Sequence, residues 1–228
     1  MLPTIQSALK PLDKELTPIR LVAERLVDAE SLFDPRTGVA LLSRRPKIAP
    51  EAYACVLFSG VGPKAITRYE KLQRSIGNQL FEIPAIYRSV LLRLNGASLF
   101  DLSLCGLPPS MCQDPPLLDR SARQPLDLGT ANQYWRTQYS KDKSLFHFGG
   151  APHTFEENVA YFLQPNGRIV ALLPREKHVA DWPSIEEFLR AELPRVEAQY
   201  REYEDRMAAP EPALPRLRRP MKKKAPRR

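Results

Sequence analysis

The run IPAIYRSVLLRLNGASLF at residues 83–100 constrains the fold more than any other part of the chain. Pro84 suits the first turn of a helix, where its missing N–H removes no bond. Ile86, Val90, Leu91 and Leu94 then recur at helical spacing, which predicts one buried helical face. Asn95-Gly96 reads as a left-handed stop for that helix, a backbone state that most side chains resist. An extended apolar segment follows at once, so the run points to a domain of mixed α and β elements.

The flanking sequence extends this pattern. Residues 14–33 read as an amphipathic helix with Leu21, Val22, Leu26 and Ala29 inward and Pro18 near its first turn. Residues 39–42 and 52–58 are short apolar runs of strand type. Residues 64–76 read as a helix with Ile66, Tyr69 and Leu72 on one face and Gly77 as its stop. A proline-rich surface loop is expected over 107–124, then a helix over 126–139 anchored by Leu128, Tyr134 and Trp135. Residues 145–148 make a strand ending at Gly149-Gly150. Residues 159–163 and 168–173 form a hairpin around Asn166-Gly167, with Val159, Tyr161 and Leu163 facing Ile169, Ala171 and Leu173. A closing helix starts after Trp182-Pro183. Ser184 and Glu187 have capping-box spacing, and Ile185, Phe188, Leu189 and Leu193 form its buried stripe. Pro194 is expected to break this helix, leaving a charged, exposed helix over 195–207.

The net charge of +8 suggests nucleic acid until it is located. Residues 209–228 hold eight cations (Arg216, Arg218, Arg219, Lys222, Lys223, Lys224, Arg227, Arg228) against Glu211 alone, so this tail carries +7 of the +8. It is rich in proline and poor in bulky apolar groups, so its composition predicts a disordered basic appendage. Two readings stay open: an electrostatic arm making weak nucleic-acid contacts, or a solvated end without a partner. No apolar run reaches the length of a membrane span. The first residues lack the apolar centre of a secretory signal, and three cysteines are too few for a disulfide framework. These features predict a cytoplasmic protein.

The ordered set of helix 64–76, the block 81–96, the hairpin around 162–173 and the closing WPSIEEFL helix resembles the SUKH superfamily over roughly residues 60–195. That group includes bacterial immunity proteins against polymorphic toxins and fungal regulators of cell-wall synthesis. The resemblance implies an α+β domain with a mostly antiparallel sheet packed by helices, and a binding role without catalysis. Residues 1–59 then form an N-terminal extension, a helix plus short strands, packed on the core. Residues 196–208 add a charged helix.

Residue chemistry leads to the same expectation. Gly60-Val61-Gly62-Pro63-Lys64 lacks the spacing and the following Ser or Thr of a phosphate loop. No Gly-x-Ser-x-Gly elbow occurs. His147, His153 and His178 are dispersed, and Cys105 and Cys112 are spaced too widely for a usual zinc pair. Cys55 and Cys105 lie in apolar surroundings, where a thiol packs as a small hydrophobe. No cofactor, metal or catalytic set is therefore expected. Glu186 and Glu187 suit a helix N-terminus. Glu156 and Glu157 have no local structural account and read either as a partner-facing acidic patch with Asp101 or as solvated loop charge. Trp182 reads as a core anchor. Trp135 lies among polar residues and is the aromatic candidate for a contact hot spot. The combined expectation is an immunity protein that occludes a cognate toxin through Asp101, Trp135, Glu156 and Glu157. A nucleic-acid module using the tail and a regulatory scaffold are the alternatives.

Overall fold

The computed structural model describes residues 3–79, 81–112, 123–154 and 156–208. The basic tail and the middle of the proline-rich loop lie outside the described residues. The rest is α+β: nine strands form one sheet in chain order, and each neighbouring pair is antiparallel.

Helices α1 (Pro3–Leu9) and α2 (Thr17–Leu26) precede the sheet. Ile19, Val22 and Ala23 of α2 are buried, and half-buried Leu26 packs beside them. The helical face is rotated from the expected one: Leu21 is 56% exposed, and Ala29 is exposed beyond the helix end. Ile19, next to Pro18, sets the true phase of the stripe. Strands β1 (Leu32–Asp34), β2 (Val39–Arg44) and β3 (Tyr53–Ser59) open the sheet. They continue without a break into the strands that follow residue 60, so the first sixty residues supply part of the main sheet.

Helix α3 (Pro63–Ser75) starts with Pro63 in its first turn and buries Ile66 and Tyr69. Helix α4 (Ala85–Leu91) ends one turn earlier than the sequence pattern suggests. Tyr87, Val90 and Leu91 face inward, whereas Ile86 is 44% exposed. Leu94, Asn95 and Gly96 belong to strand β4 (Leu94–Leu99), so Asn95-Gly96 is no helix stop. Glycine is required there for another reason. Gly96 has φ +86°, and a Cβ on it would sit 2.7 Å from the Leu104 carbonyl oxygen. The Asn95 amide donates to the Leu107 carbonyl and accepts from the Leu107 N–H, each at 2.8 Å. A buried side chain thus pairs the backbone where the ladder ends.

Strand β5 (Leu102–Leu104) and the short helix α5 (Pro109–Cys112) follow. Residues 128–139 form one irregular helical segment: α6 (Leu128–Thr130), a π-helical stretch (Ala131–Trp135) and α7 (Arg136–Tyr139). Strand β6 (Phe146–Pro152) runs through Gly149-Gly150 instead of ending there, because both glycines carry ladder pairs with β5 and β7. Strands β7 (Asn158–Leu163) and β8 (Ile169–Leu173) form the expected hairpin in the expected register, with Gly167 at φ +85°. Strand β9 (Lys177–Trp182) is the sheet's last.

Helix α8 (Ile185–Ala208) is one helix of 24 residues. The Glu187 N–H donates to Ser184 Oγ at 3.2 Å, so Ser184 caps as expected. Pro194 does not break the helix, correcting the expected split at 195. Pro194 is exposed, so the carbonyl it leaves without a donor can bond water. The second half is also not a solvated helix. Val196 is 1% and Tyr200 5% exposed, and Arg25 meets Glu197 at 2.7 Å. This half fastens α2 to the sheet.

The apolar stripes of α1, α2, α3, α4 and α8 join one cluster on a single sheet face, with Leu42, Leu57, Leu99, Leu104, Phe148 and Tyr161. The opposite face holds two smaller clusters: Val39, Val56 and Phe58 on β2–β3, and Leu145, Ala160, Phe162, Val170 and Leu172 near β7–β8. Between α3 and α4, buried Glu70 accepts from the Ile83 N–H at 2.8 Å and from Arg88 at 2.5 Å. Glu70→Ala should lower stability by about 2–4 kcal/mol, since it strands one buried donor and unpairs a guanidinium. Urea unfolding at pH 7 checks this, and a loss below about 0.5 kcal/mol would show that the clamp contributes little.

Candidate functional site

Register places a row of small residues across four strands on the second face: Ser98 pairs with Ser103, Ser103 with Gly150, and Gly150 with Ala160, with Val56 of β3 beside Ser98. Side chains opposite one another in neighbouring strands share a face, so this row forms a low floor. Two adjoining cavities of about 420 and 390 Å³ lie above it and share Asp101, Ser103 and Leu126. Together they make a groove with two aromatic ends. Tyr53, Phe58, Phe100 and Tyr200 line one end. Trp135, Tyr139 and His147 line the other.

Asp101 stands between the two ends. It occupies the two-residue turn from β4 to β5 beside Phe100, which has φ +55°. A bulky residue in the left-handed region is strained. Phe100 is held there by its N–H bond to the Ala54 carbonyl at 2.5 Å and by its ring 5.6 Å from Tyr200. Partial burial raises the Asp101 carboxyl above its ordinary range. The residue nevertheless remains exposed enough to meet a partner.

Trp135 is set by the π-helical stretch, a geometry that recurs at functional sites. Asn132 fixes that stretch to β6. Its Nδ2 donates to the carbonyls of Leu128 (2.9 Å) and His147 (2.8 Å), and its Oδ1 accepts the His147 N–H (2.9 Å). The bond falls where the β6–β7 register shifts, between His147 and Gly149. Trp135 is half-buried against the main core and also lines the groove.

His147 is 5% exposed, with its ring stacked on Phe162 at 4.8 Å. Nδ1 lies 3.3 Å from the Ala131 carbonyl oxygen and Nε2 lies 3.0 Å from that of Gly149. Burial is the main influence and lowers its pKa to about 4, against the opposing pull of the two carbonyls. Cys105 also lines the groove, and burial pushes its thiol up to about 12. Cys55, fully buried, is pushed higher still. Neither thiol is a thiolate near neutral pH. Among the described residues no cluster of three His, Cys, Asp or Glu is placed to hold a metal ion.

Of the four residues expected to meet a partner, the fold brings Asp101 and Trp135 to the same cavity. Glu156 and Glu157 are exposed in the β6–β7 turn, where Thr154 Oγ1 accepts both of their N–H groups. They sit just before Asn158, which lines the groove's end, and they do not line it themselves. Tyr134, expected as a core anchor, is 61% exposed. Sequence reasoning misses Ser98, Ser103, Gly150 and Ala160, because small residues carry no chemical signal. Their alternation along apolar strands is the available clue.

No described helix is long and apolar enough to cross a membrane. Compared with known protein families, with curated proteins and with solved structures, the chain has no match.

Native His147 protonates near pH 4, whereas the unfolded residue does so near 6.5. The unfolded state therefore binds the proton first as pH falls. Stability should drop by about 3 kcal/mol between pH 6.5 and 4 on this account. Urea titrations across that window should show a shallower loss for His147→Gln, and equal slopes would contradict it.

Proposed function

We propose that the protein is a non-catalytic binding protein of the SUKH immunity type, which neutralises a protein toxin by covering its active site with the grooved sheet face. One observation carries this reading. A floor of small side chains runs between aromatic ends beside Asp101, the arrangement that admits a protruding partner segment and gives it aromatic and charged anchors. The groove is built on paired strands and pinned helical segments, so it offers a rigid surface, and rigidity lowers the entropic cost of association. Neutralisation needs slow release and hence an affinity of nanomolar order or tighter. A toxin acting inside the cell would place its inhibitor in the cytoplasm, in keeping with the sparse cysteines.

Asp101 anchors a cation of the partner, and Trp135 supplies apolar contact. The near-neutral charge of residues 1–208 fits a toxin interface decided by shape and these anchors more than by long-range attraction.

The test combines capture with groove filling. Tagged full-length protein recovered from its own cells should bring down one polypeptide at one-to-one ratio, resistant to high salt and nuclease. Expressed alone, that polypeptide should arrest growth, and this protein should restore it. Ser103→Trp, which fills the shared centre of the groove, should weaken capture at least a hundredfold without changing the circular dichroism spectrum. Recovery only of nucleic acid or ribosomes, released at high salt, would overturn the proposal.

A further inference from the structure

A second surface has a different chemistry. On α3 the exposed positions Lys64, Thr67, Arg68, Lys71, Arg74 and Ser75 fall within about 120° of the helix circumference at 100° per residue. The stripe carries four cations, two hydroxyls and no apolar side chain. The one acid of α3, Glu70, is buried and already bound to Arg88 and to the Ile83 N–H. Among the described residues none of the four cations meets a carboxylate. Arg68 donates to the Met111 carbonyl at 2.7 Å and Arg74 to that of Phe81 at 3.4 Å, bonds that steady two side chains without neutralising them. A trough of about 440 Å³ runs beside Lys64, Thr67, Arg68 and Lys71. The body is nearly neutral in sum, but its charge is locally segregated.

We propose that this ridge docks the phosphodiester backbone of a nucleic-acid duplex. Length is compatible with it: the ten-residue rise of helix from Lys64 to Arg74 is about 15 Å, an axial length over which each strand of a duplex carries about four phosphates. Composition supports it. A protein interface draws its energy from buried apolar and aromatic anchors, and this stripe has none. Cations with interspersed hydroxyl donors are what phosphate oxygens accept. The docking invoked is to phosphate alone, which carries no sequence information, so the binding is independent of sequence. It lies apart from the groove and does not depend on the toxin-binding proposal.

The test uses the full chain with 20-base-pair mixed-sequence DNA and RNA duplexes, labelled and titrated from 50 to 200 mM salt. Lys64→Gln, Arg68→Gln and Lys71→Gln together should weaken binding at least tenfold at 50 mM. They should also reduce the steepness of log affinity against log salt by about 2 to 3, close to 0.9 for each phosphate that is no longer neutralised. Glutamine is a good helix former, and an unchanged melting temperature confirms that the triple variant is folded. A control neutralising the exposed Lys141, Lys143 and Lys177 removes the same charge elsewhere and should leave the slope within about 0.5. Stronger binding to one duplex identifies it as the ligand. The proposal is overturned if the wild-type chain binds neither duplex at 50 mM, if the ridge variant matches wild type, or if the control weakens binding equally. Tighter binding to polyglutamate than to either duplex would overturn it in favour of an acidic protein surface.

Discussion

Eight aromatic rings run through the protein in one chain of contacts and join its helices to one side of its sheet. Tyr69 of α3 meets Phe81, Phe81 meets Phe146, and Phe146 meets Tyr87 of α4. Tyr87 continues to Phe148, which touches Phe188 of α8 at 5.5 Å, and Phe188 closes on Tyr161 and Trp182 at 4.7 and 5.3 Å. Each such pair adds roughly 0.5–1.5 kcal/mol beyond the area it buries. The greater consequence is geometric. Rings this large fill the space above β6 and β7, and they bring α3, α4 and α8 to one face. A nine-stranded antiparallel meander then has a second face that α3 and α4 do not cover, and the groove lies there, with Tyr200 of α8 at one end.

Polar groups finish what the rings begin. Asn95 and Asn132 act as side-chain peptides, each supplying a donor and an acceptor to a backbone that has left the regular ladder. Asn95 holds the chain leaving β5, and Asn132 holds the π-helical stretch that carries Trp135. Tyr161, deep in the first face, donates to Glu192 at 2.5 Å, and Arg195 meets the same carboxylate at 2.7 Å. This network ties α8 to β7 on either side of Pro194, so the proline costs one bond without loosening the helix.

Much of the architecture is legible in the residues alone. The α+β class, the β7–β8 hairpin with its register, the Ser184 cap and helix α3 follow from period, turn chemistry and capping. The errors share one cause, since local pattern cannot see what lies across the chain. Asn95-Gly96 matches a helix stop, yet Gly96 is there because Leu104 passes too close for a Cβ. Gly149-Gly150 looks like a strand end, but both residues are paired on two sides. Pro194 looks like a break only until its exposed position is known. At the candidate site, Asp101 and Trp135 stand out by their chemistry. The floor between them does not, because Ser98, Ser103, Gly150 and Ala160 come together only through register.

Hydrogen–deuterium exchange of the protein, free and saturated with its captured polypeptide, tests the central claim most directly. If the grooved face is the binding surface, protection should rise in residues 97–104, 131–139 and 147–152 and stay unchanged along α3 and at the outer edges of β1 and β9. Protection confined to those edges, or to the outer surface of α8, would contradict the account and place the partner elsewhere.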